Sequence, residues 1–497
     1  SFLTKAQNIT VASGKSFTVE KTGSVTMSGN FSNSGAFTLN SDSDEFSSII
    51  IGGSVSGNIT YNRYVNPVGT NEWDLIGSPV DGLSISAFAS TNSSTLATNG
   101  SAYAIGEYNN VTDTWTNYTT STIGSSGNFD IGKGYQMGSI GSGSGILVFT
   151  GSPASTNQTQ SIINNDAANS GTGRRWNLVA NPYPSYIQGN ANAHATNNFL
   201  TVNSDKLDDS YEAIYGYDAD GTGYTIYNNI GTLLLAPGQA FMVASDNTSS
   251  DNISFTTQMR TVVGGDDLIL GRIMQDSYEL ILSINQGDTE IDQTKFYFKE
   301  GLNLGLDPGY DAGHFNQQAA LTSRLVEEDE GVGFAINAMG LESINDVVIP
   351  LVINRESADG FRVSIHTNGI YEGTNVYLED NQQGTMTLLN EQDFELIPEI
   401  NLSEVGRFYL HLTQTTFSTE DDIQTNHLNG YKLDAFNFIT IEGLAFQTNQ
   451  TNLRVYDILG QEVLHKTLAN NNNRETVSTE GFATGVYVIK LESGNVI

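Results

Sequence analysis

The sequence predicts an all-β, multidomain chain, and three observations carry that reading. The composition joins 51 Gly, 22 Tyr and 23 Phe to abundant Thr, Ser and Asn, which is the make-up of strands linked by turns. Short runs of alternating apolar and polar residues recur between Ser-Gly, Thr-Gly and Asn-Ser-Gly turns. One β-rich pattern occurs twice. The expected order is a short solenoid-like β stretch (1–60), two repeated β modules (61–151 and 160–260) and a β-sandwich or jelly-roll-like region (262–415). A linker (416–435) and a C-terminal Ig-like β-sandwich (436–497) complete it.

Length, charge and cysteine count bound the function. The 497 residues suffice for about three to five domains. With Cys at 0, stability comes from packing or from metal ions. The 21 basic residues face 55 acidic ones, a net charge of −34. Nucleic acid and anionic membranes need clustered Lys and Arg, so both are excluded as partners. The same balance suits a soluble surface protein, and it suits calcium. No run of 18 apolar residues exists, so no transmembrane segment is expected. The chain starts mid-pattern at SFLTKAQNITV without a signal peptide, which reads as a mature form or the C-terminal part of a longer protein.

In residues 1–60 the alternating runs are ITVA, FTVE, SVTMSG, AFTLN, SIIIGG and NITY. Strand plus turn at this spacing fits either a β-solenoid or tight meanders. A solenoid of so few rungs is marginal alone, so it is expected to continue upstream or to dock on the next domain.

The repeat comes next. Trp73-Asp74-Leu75-Ile76-Gly77-Ser78-Pro79 answers Trp176-Asn177-Leu178-Val179-Ala180-Asn181-Pro182. Ala104-Ile105 and Tyr108 answer Ala213-Ile214 and Tyr217, and Trp115 answers Tyr224 or Tyr227. Gly132-Lys133-Gly134-Tyr135-Gln136-Met137 answers Pro237-Gly238-Gln239-Ala240-Phe241-Met242. Each copy closes on a short strand, ILVFT at 146–150 and ISFTT at 253–257. This pattern resembles β modules that precede sorting domains in large bacterial surface proteins, and the resemblance transfers no activity.

Residues 262–415 contain strand-like runs at 278–284, 294–298, 332–338, 347–353, 361–366, 376–379 and 407–412, enough for a sandwich or jelly roll. Residues 414–429 (QTTFSTEDDIQTNHLN) are polar and acidic and read as a linker.

In the last sixty residues, NLRVYD puts Leu453 and Val455 on one strand face. GVYVIKL sets Val486, Val488 and Lys490 opposite Tyr487, Ile489 and Leu491. VYDILGQEV, followed about 25 residues later by GFATGVYVIKL, resembles the type A C-terminal sorting domain of type IX secretion substrates in Bacteroidota. The motif positions are Val455, Tyr456, Leu459, Gly460, Gly485, Tyr487 and Val488. The resemblance implies a secreted protein that transits the periplasm and reaches the outer-membrane surface or the medium. It also implies as partners the outer-membrane type IX translocon and its shuttle and attachment components. Residues 494–497 (GNVI) do not themselves show the short basic, aliphatic tail with which the family usually closes.

Candidate chemistry is sparse. Asp218-Ala219-Asp220-Gly221 has the carboxylate spacing and glycine of a calcium-loop core, with Asp218 and Asp220 as ligands. The twelfth position is Asn229, not Glu, and a hairpin turn accounts for the same residues. Asp307 and Asp311 form a second candidate calcium pair, or hold their turn by side-chain hydrogen bonds. Trp73, Trp176, Tyr183, Tyr186, Tyr108 and Tyr224 would make an aromatic platform for sugars. Both Trp residues stand beside apolar Leu-Ile and Leu-Val, the setting of core residues. Six scattered His, no G-x-S-x-G and no Cys give no catalytic fingerprint. The expected function is a non-enzymatic structural or adhesive surface protein, with other copies of itself among its partners. A glycan-binding surface protein is the alternative, and a hydrolase with an unmarked carboxylate pair a remote one.

Overall fold

The computed structural model describes residues 3–69, 73–166, 174–218, 223–266, 277–368, 374–414, 429–431, 438–444, 447, 449–457, 461–470, 474–479, 481–482 and 487–493. Strands dominate it, and no helix among the described residues is long and apolar enough to cross a membrane.

The N-terminal strands pair in parallel, and this decides between solenoid and meander. Leu3–Ala6, Ser24–Met27 and Ser48–Ile51 form one face, Ile9–Val11, Phe31–Asn33 and Val55–Ser56 a second, and Ser16–Val19, Ala36–Asn40 and Ile59–Tyr64 a third. Three coils of 20 to 24 residues result, with Val25, Phe31, Phe37, Leu39, Ile49 and Tyr61 in the core. Phe17 stacks on Phe37, its partner one coil on, at 5.0 Å and 10°. Ile146–Gly151 closes the third face by pairing antiparallel with Ile59–Tyr64.

Both repeats fold alike. In the first, Asp74–Ile76, Tyr135–Met137, Ala102–Asn109 and Thr114–Thr119 lie side by side in that order; in the second, Trp176–Ala180, Ala240–Ala244, Ile214–Asp218 and Gly223–Tyr227 do. Pairing corrects the repeat alignment by one residue. Ile76 faces Tyr135 and Val179 faces Phe241, so Tyr135 matches Phe241 and Gly132 matches Gly238. Those two glycines have positive φ, 84° and 70°, and the turn they make sets the register rather than the shared Met. Tyr108 pairs with Trp115 and Tyr217 with Tyr224, so Trp115 answers Tyr224.

A helix in each copy departs from the all-strand expectation. Ile85–Thr91 starts at Ser84, whose side chain accepts from Ala87 N, and Phe199–Asn203 starts at Asn198, which accepts from Thr201 N. Each is short and lies on the strand that closes its module, Ile146–Gly151 or Asp251–Phe255. The sequence signal is Phe-x-x-x-Asn, present in both copies as Phe88…Asn92 and Phe199…Asn203.

The two copies meet across a pseudo-twofold joint. Gly77 N donates to Gly238 O at 2.7 Å, and its counterpart Ala180 N donates to Gly132 O at 2.8 Å. A Cβ on Gly77 would lie 2.3 Å from the Ala180 Cβ, so the backbones approach this closely only with glycine there.

Neighbouring units are latched to the second copy. Arg63, fully buried at the last solenoid coil, donates from Nε to Pro237 O at 3.0 Å and lies 4.0 Å over the Phe46 ring. Arg260 donates to Ile51 O at 3.1 Å. On the other side Phe315 wedges between Trp176 (4.5 Å) and Tyr224 (4.1 Å, 14°), and Tyr215 donates to Gly313 O.

The third region is one eleven-stranded sheet folded around a single core. Its long strands Ser277–Gln286, Thr289–Lys299, Phe334–Met339, Asp346–Ile353, Phe361–Asn368, Asn375–Asp380 and Phe408–Thr413 fall on the seven predicted runs. Leu280, Phe296, Ile349, Val363, Leu378 and Leu410 from these strands share the core.

The terminal unit begins earlier than expected. Asn429–Tyr431, inside the span read as linker, pairs with Phe438–Glu442 and so belongs to the terminal sandwich.

Candidate functional site

Among the described residues the terminal sandwich forms two three-stranded sheets. Asn429–Tyr431, Phe438–Glu442 and Arg474–Ser478 make one, and Glu462–Leu468, Thr451–Asp457 and Tyr487–Ser493 the other. Ile439, Ile441, Leu453, Val455, Leu468 and Val477 fill the space between them. The strand period does this sorting. Leu453 and Val455 are fully buried, Tyr487, Ile489 and Leu491 pack against the same core, and the Phe482 and Tyr487 rings lie 5.1 Å apart.

The outer face of the second sheet carries the other half of the motif. Val488 is 58% exposed and pairs across the ladder with Tyr456. Charges surround them: Arg454 meets Glu462 at 3.1 Å, and Lys490 meets Glu492 at 2.6 Å. A bulge between Val455 and Tyr456 leaves Val463 40% exposed on the neighbouring strand. Asp457 bounds the turn by accepting Gln461 N at 2.9 Å. Leu459, Gly460 and Gly485 lie outside the described residues.

A family model described as a secretion system C-terminal sorting domain matches residues 435–496. A second model, described as Domain of unknown function (DUF8693), matches residues 2–449. The chain belongs to this DUF8693 family. No curated protein and no solved structure matches it. Behind a DUF8693 body, the sorting domain makes the chain a type IX secretion substrate, bound for the cell surface or the extracellular space. Its recognition implies contact with the type IX machinery.

The candidate calcium carboxylates of the body divide into two places. Asp218 ends the strand Ile214–Asp218, and Asp220 lies outside the described residues. Asp307 and Asp311 bind their own loop. Asp307 accepts Asn303 N at 2.8 Å and Asn303 Nδ2 at 2.7 Å. Asp311, fully buried, accepts Asp307 N at 2.7 Å and Ala338 N at 2.6 Å. Burial nevertheless pushes the Asp311 carboxyl up to about 7. Among the described residues no three His, Asp or Glu gather as metal ligands.

Glu212 is the second acid at this seam. It is 6% exposed, and burial and then nearby Asp209 push its carboxyl up to about 7. It faces the loop of Gly309, whose O accepts from Asn229 N at 2.8 Å. Nothing in the sequence marks Glu212, because its partner loop lies almost a hundred residues further on.

The aromatic residues split. Trp176, Tyr183 and Tyr186 are buried, and Trp73 packs half-buried against the first core. Tyr183 donates to Phe255 O at 2.6 Å, a core role. Tyr108 and Trp115 of the first copy and Tyr217 and Tyr224 of the second remain half-buried against one cluster, with the Tyr108–Trp115 and Tyr217–Tyr224 rings each 5.3 Å apart. A cleft of about 460 Å³ opens beside Tyr224, between the strand Gly223–Tyr227 and the strand Thr289–Lys299. In it, His314 Nε2 lies 3.3 Å from Asp292 Oδ1, and Asp292 Oδ2 accepts Leu321 N at 3.1 Å. The sequence shows neither that pair nor the cleft, since its walls come from two different units.

Proposed function

We propose that the body serves as a non-catalytic structural or adhesive element displayed at the cell surface. The observation that carries this reading is the continuity of the body. The pseudo-twofold joint at Gly77 and Ala180 locks copy to copy, Arg63 and Arg260 bind the solenoid to the second copy, and Phe315 wedges the sandwich against it. A load applied at one end of such a stack is transmitted through buried hydrogen bonds and aromatic packing, not through a slack linker.

The test is to display, in the native host, either the full chain or a chain in which an inert globular domain replaces residues 1–414 ahead of the sorting domain. Equal surface delivery with loss of cell attachment or cohesion is the expected result. Unchanged attachment, or turnover of a polysaccharide by the purified body, would overturn the reading.

Glycan binding is the second reading. It is favoured by the half-buried Tyr108, Trp115 and Tyr217, which pack against one cluster, with the Tyr108 hydroxyl donating to Asp113 at 2.8 Å. It predicts saturable binding of the soluble body to a glycan array, lost in Trp115→Ala.

A further inference from the structure

The cleft between the second module and the sandwich has an unusual lining. Residues 224–226 form one wall and residues 290–293 the other, each an unbroken run. Along 224–226 successive side chains point to opposite faces, so a cavity that touches every residue follows that strand's edge and not its face, while in 290–293 a bulge at Ile291 turns the strand towards the cleft. The pairing agrees. Gly223–Tyr227 is the outermost strand of its sheet. Thr289–Lys299 is paired along one side by Ser277–Gln286, but on its other side Phe334–Met339 joins only from Lys295 onward. The open edge of Gly223–Tyr227 therefore faces, across the cleft, the bulged edge of Thr289–Lys299, which Leu321–Ser323 flanks at Asp292 and Thr294 and which is open N-terminal to them.

Exposed edges are normally blunted by charge, proline or a bulge. Gly223–Tyr227 reads GYTIY and has none of these. Across the cleft, Ile226, Ile291 and Ile336 offer apolar contacts. Asp292 is already engaged by His314 and the Leu321 amide. Glu290 and Lys295 have no ion-pair partner among the described residues; their partners on Ser277–Gln286 are Asn285 and Ile281, four residues apart, so the two charges share one face, roughly 13 Å apart. The rings at the cleft are spent on each other: Tyr224 stacks on Phe315 and packs edge-on to Tyr217. That disfavours a sugar as the occupant.

We propose that this cleft is a β-augmentation site, which takes an extended peptide strand of a partner protein between these two edges. The strand it fits is uncharged and β-branched at its centre, with a basic and an acidic side chain four residues apart on one face to meet Glu290 and Lys295. Main-chain hydrogen bonds to the edges would supply the affinity, and the two charges the register. The proposal goes beyond the structural or adhesive reading, and the attachment test above can fail without affecting it.

The experiment titrates the full chain with two fluorescent, end-capped pentapeptides, Lys-Thr-Val-Thr-Glu and its reverse, since the strand can run either way. One of the two is expected to bind at a single site. N-methylation of alternate amides should weaken it about tenfold or more, the loss of two or so main-chain hydrogen bonds. Thr225→Pro should abolish binding, and because proline could also disturb the hairpin, the surface change Lys295→Glu provides a second variant. Lys295→Glu should weaken the peptide, and replacing the peptide's Glu by Lys should restore binding. Circular dichroism checks that each variant is folded. No saturable binding of either peptide, binding indifferent to N-methylation, or cellohexaose bound in place of the peptide and lost in Lys295→Glu would each overturn the proposal.

Discussion

Asn92 and Asn203 occupy the same place in the two copies, where each ties its helix to the closing strand. Asn92 Nδ2 donates to Phe88 O and Val148 O, while its Oδ1 accepts Val148 N at 2.7 Å. Asn203 does the same with Phe199 O, Ser254 O and Ser254 N, again at 2.7 Å. Both are buried, so truncation leaves backbone groups unpaired in an apolar setting. Asn203→Ala should cost about 2–3 kcal/mol, read by urea unfolding, and Asn203→Asp should cost more by aiming a carboxylate at two carbonyls. Glu212 sets a pH dependence. Burial pushes its folded carboxyl up to about 7, above the ordinary value of 4.5, so below that pH the fold keeps it protonated. As pH rises from about 4.5 to 7 the unfolded chain ionises first, and stability should fall, by on the order of 3 kcal/mol for this group. Asp311, also near 7, acts in the same direction. Melting temperature measured between pH 5 and 8 should decline, and Glu212→Gln should flatten that slope. An unchanged slope would place Glu212 outside the buried seam.

At the scale of the element, the joint between the two copies depends on two glycines for different reasons. Gly77 is glycine because a Cβ would collide with Ala180 and the Lys133 carbonyl. Gly238 is glycine because its φ is +70° and a Cβ would stand 2.8 Å from Gly77 O. Gly77→Val should cost about 1–3 kcal/mol and separate the unfolding of the copies into two calorimetric steps. Gly82→Ala provides the comparison: its φ is +78° but no atom lies within 4 Å of the added carbon. It should cost only the backbone strain, about 1 kcal/mol, and leave a single transition.

For the whole molecule, the decisive division is between body and address. Removing residues 430–497 should leave the chain in the periplasm of its native host, while the full chain reaches the surface. Point variants sharpen this. Val455→Asp buries a charge in the terminal core and should unfold the domain and stop export. Val488→Asp changes an exposed position and should leave the fold intact, measured by circular dichroism of the isolated domain. Lost export from a folded Val488→Asp protein would identify the outer face with Tyr456 and Val488 as the surface the machinery reads. Retained export would assign that role elsewhere on the domain.

Much of this architecture is legible in the chain alone, because strand period and turn residues are local properties. The alternation through Leu453, Val455, Tyr487 and Ile489 predicts which side chains face the terminal core, and the motif around them marks the sorting domain. The doubled Trp-x-Leu pattern likewise reveals two copies of one module. What depended on distant partners stayed hidden. Parallel pairing of Leu3–Ala6 with Ser24–Met27, and not of neighbours in a hairpin, made the stretch a solenoid, since isolated strand signals do not encode direction. The turn at Gly132 and Gly238 overrode the matching Met residues in setting the repeat register. Spacing marks Asp307 and Asp311 as candidate ligands or turn-holders because it records only side-chain type; that their oxygens accept from the amides of their own loop and of Ala338 was decided by the fold. The cleft beside Thr225 and Ile291 exists only where two units dock, and no single segment carries its shape. Local periodicity thus determined the elements and the address, while the joints, the buried acids and the open seam were decided by contacts between residues far apart in the chain.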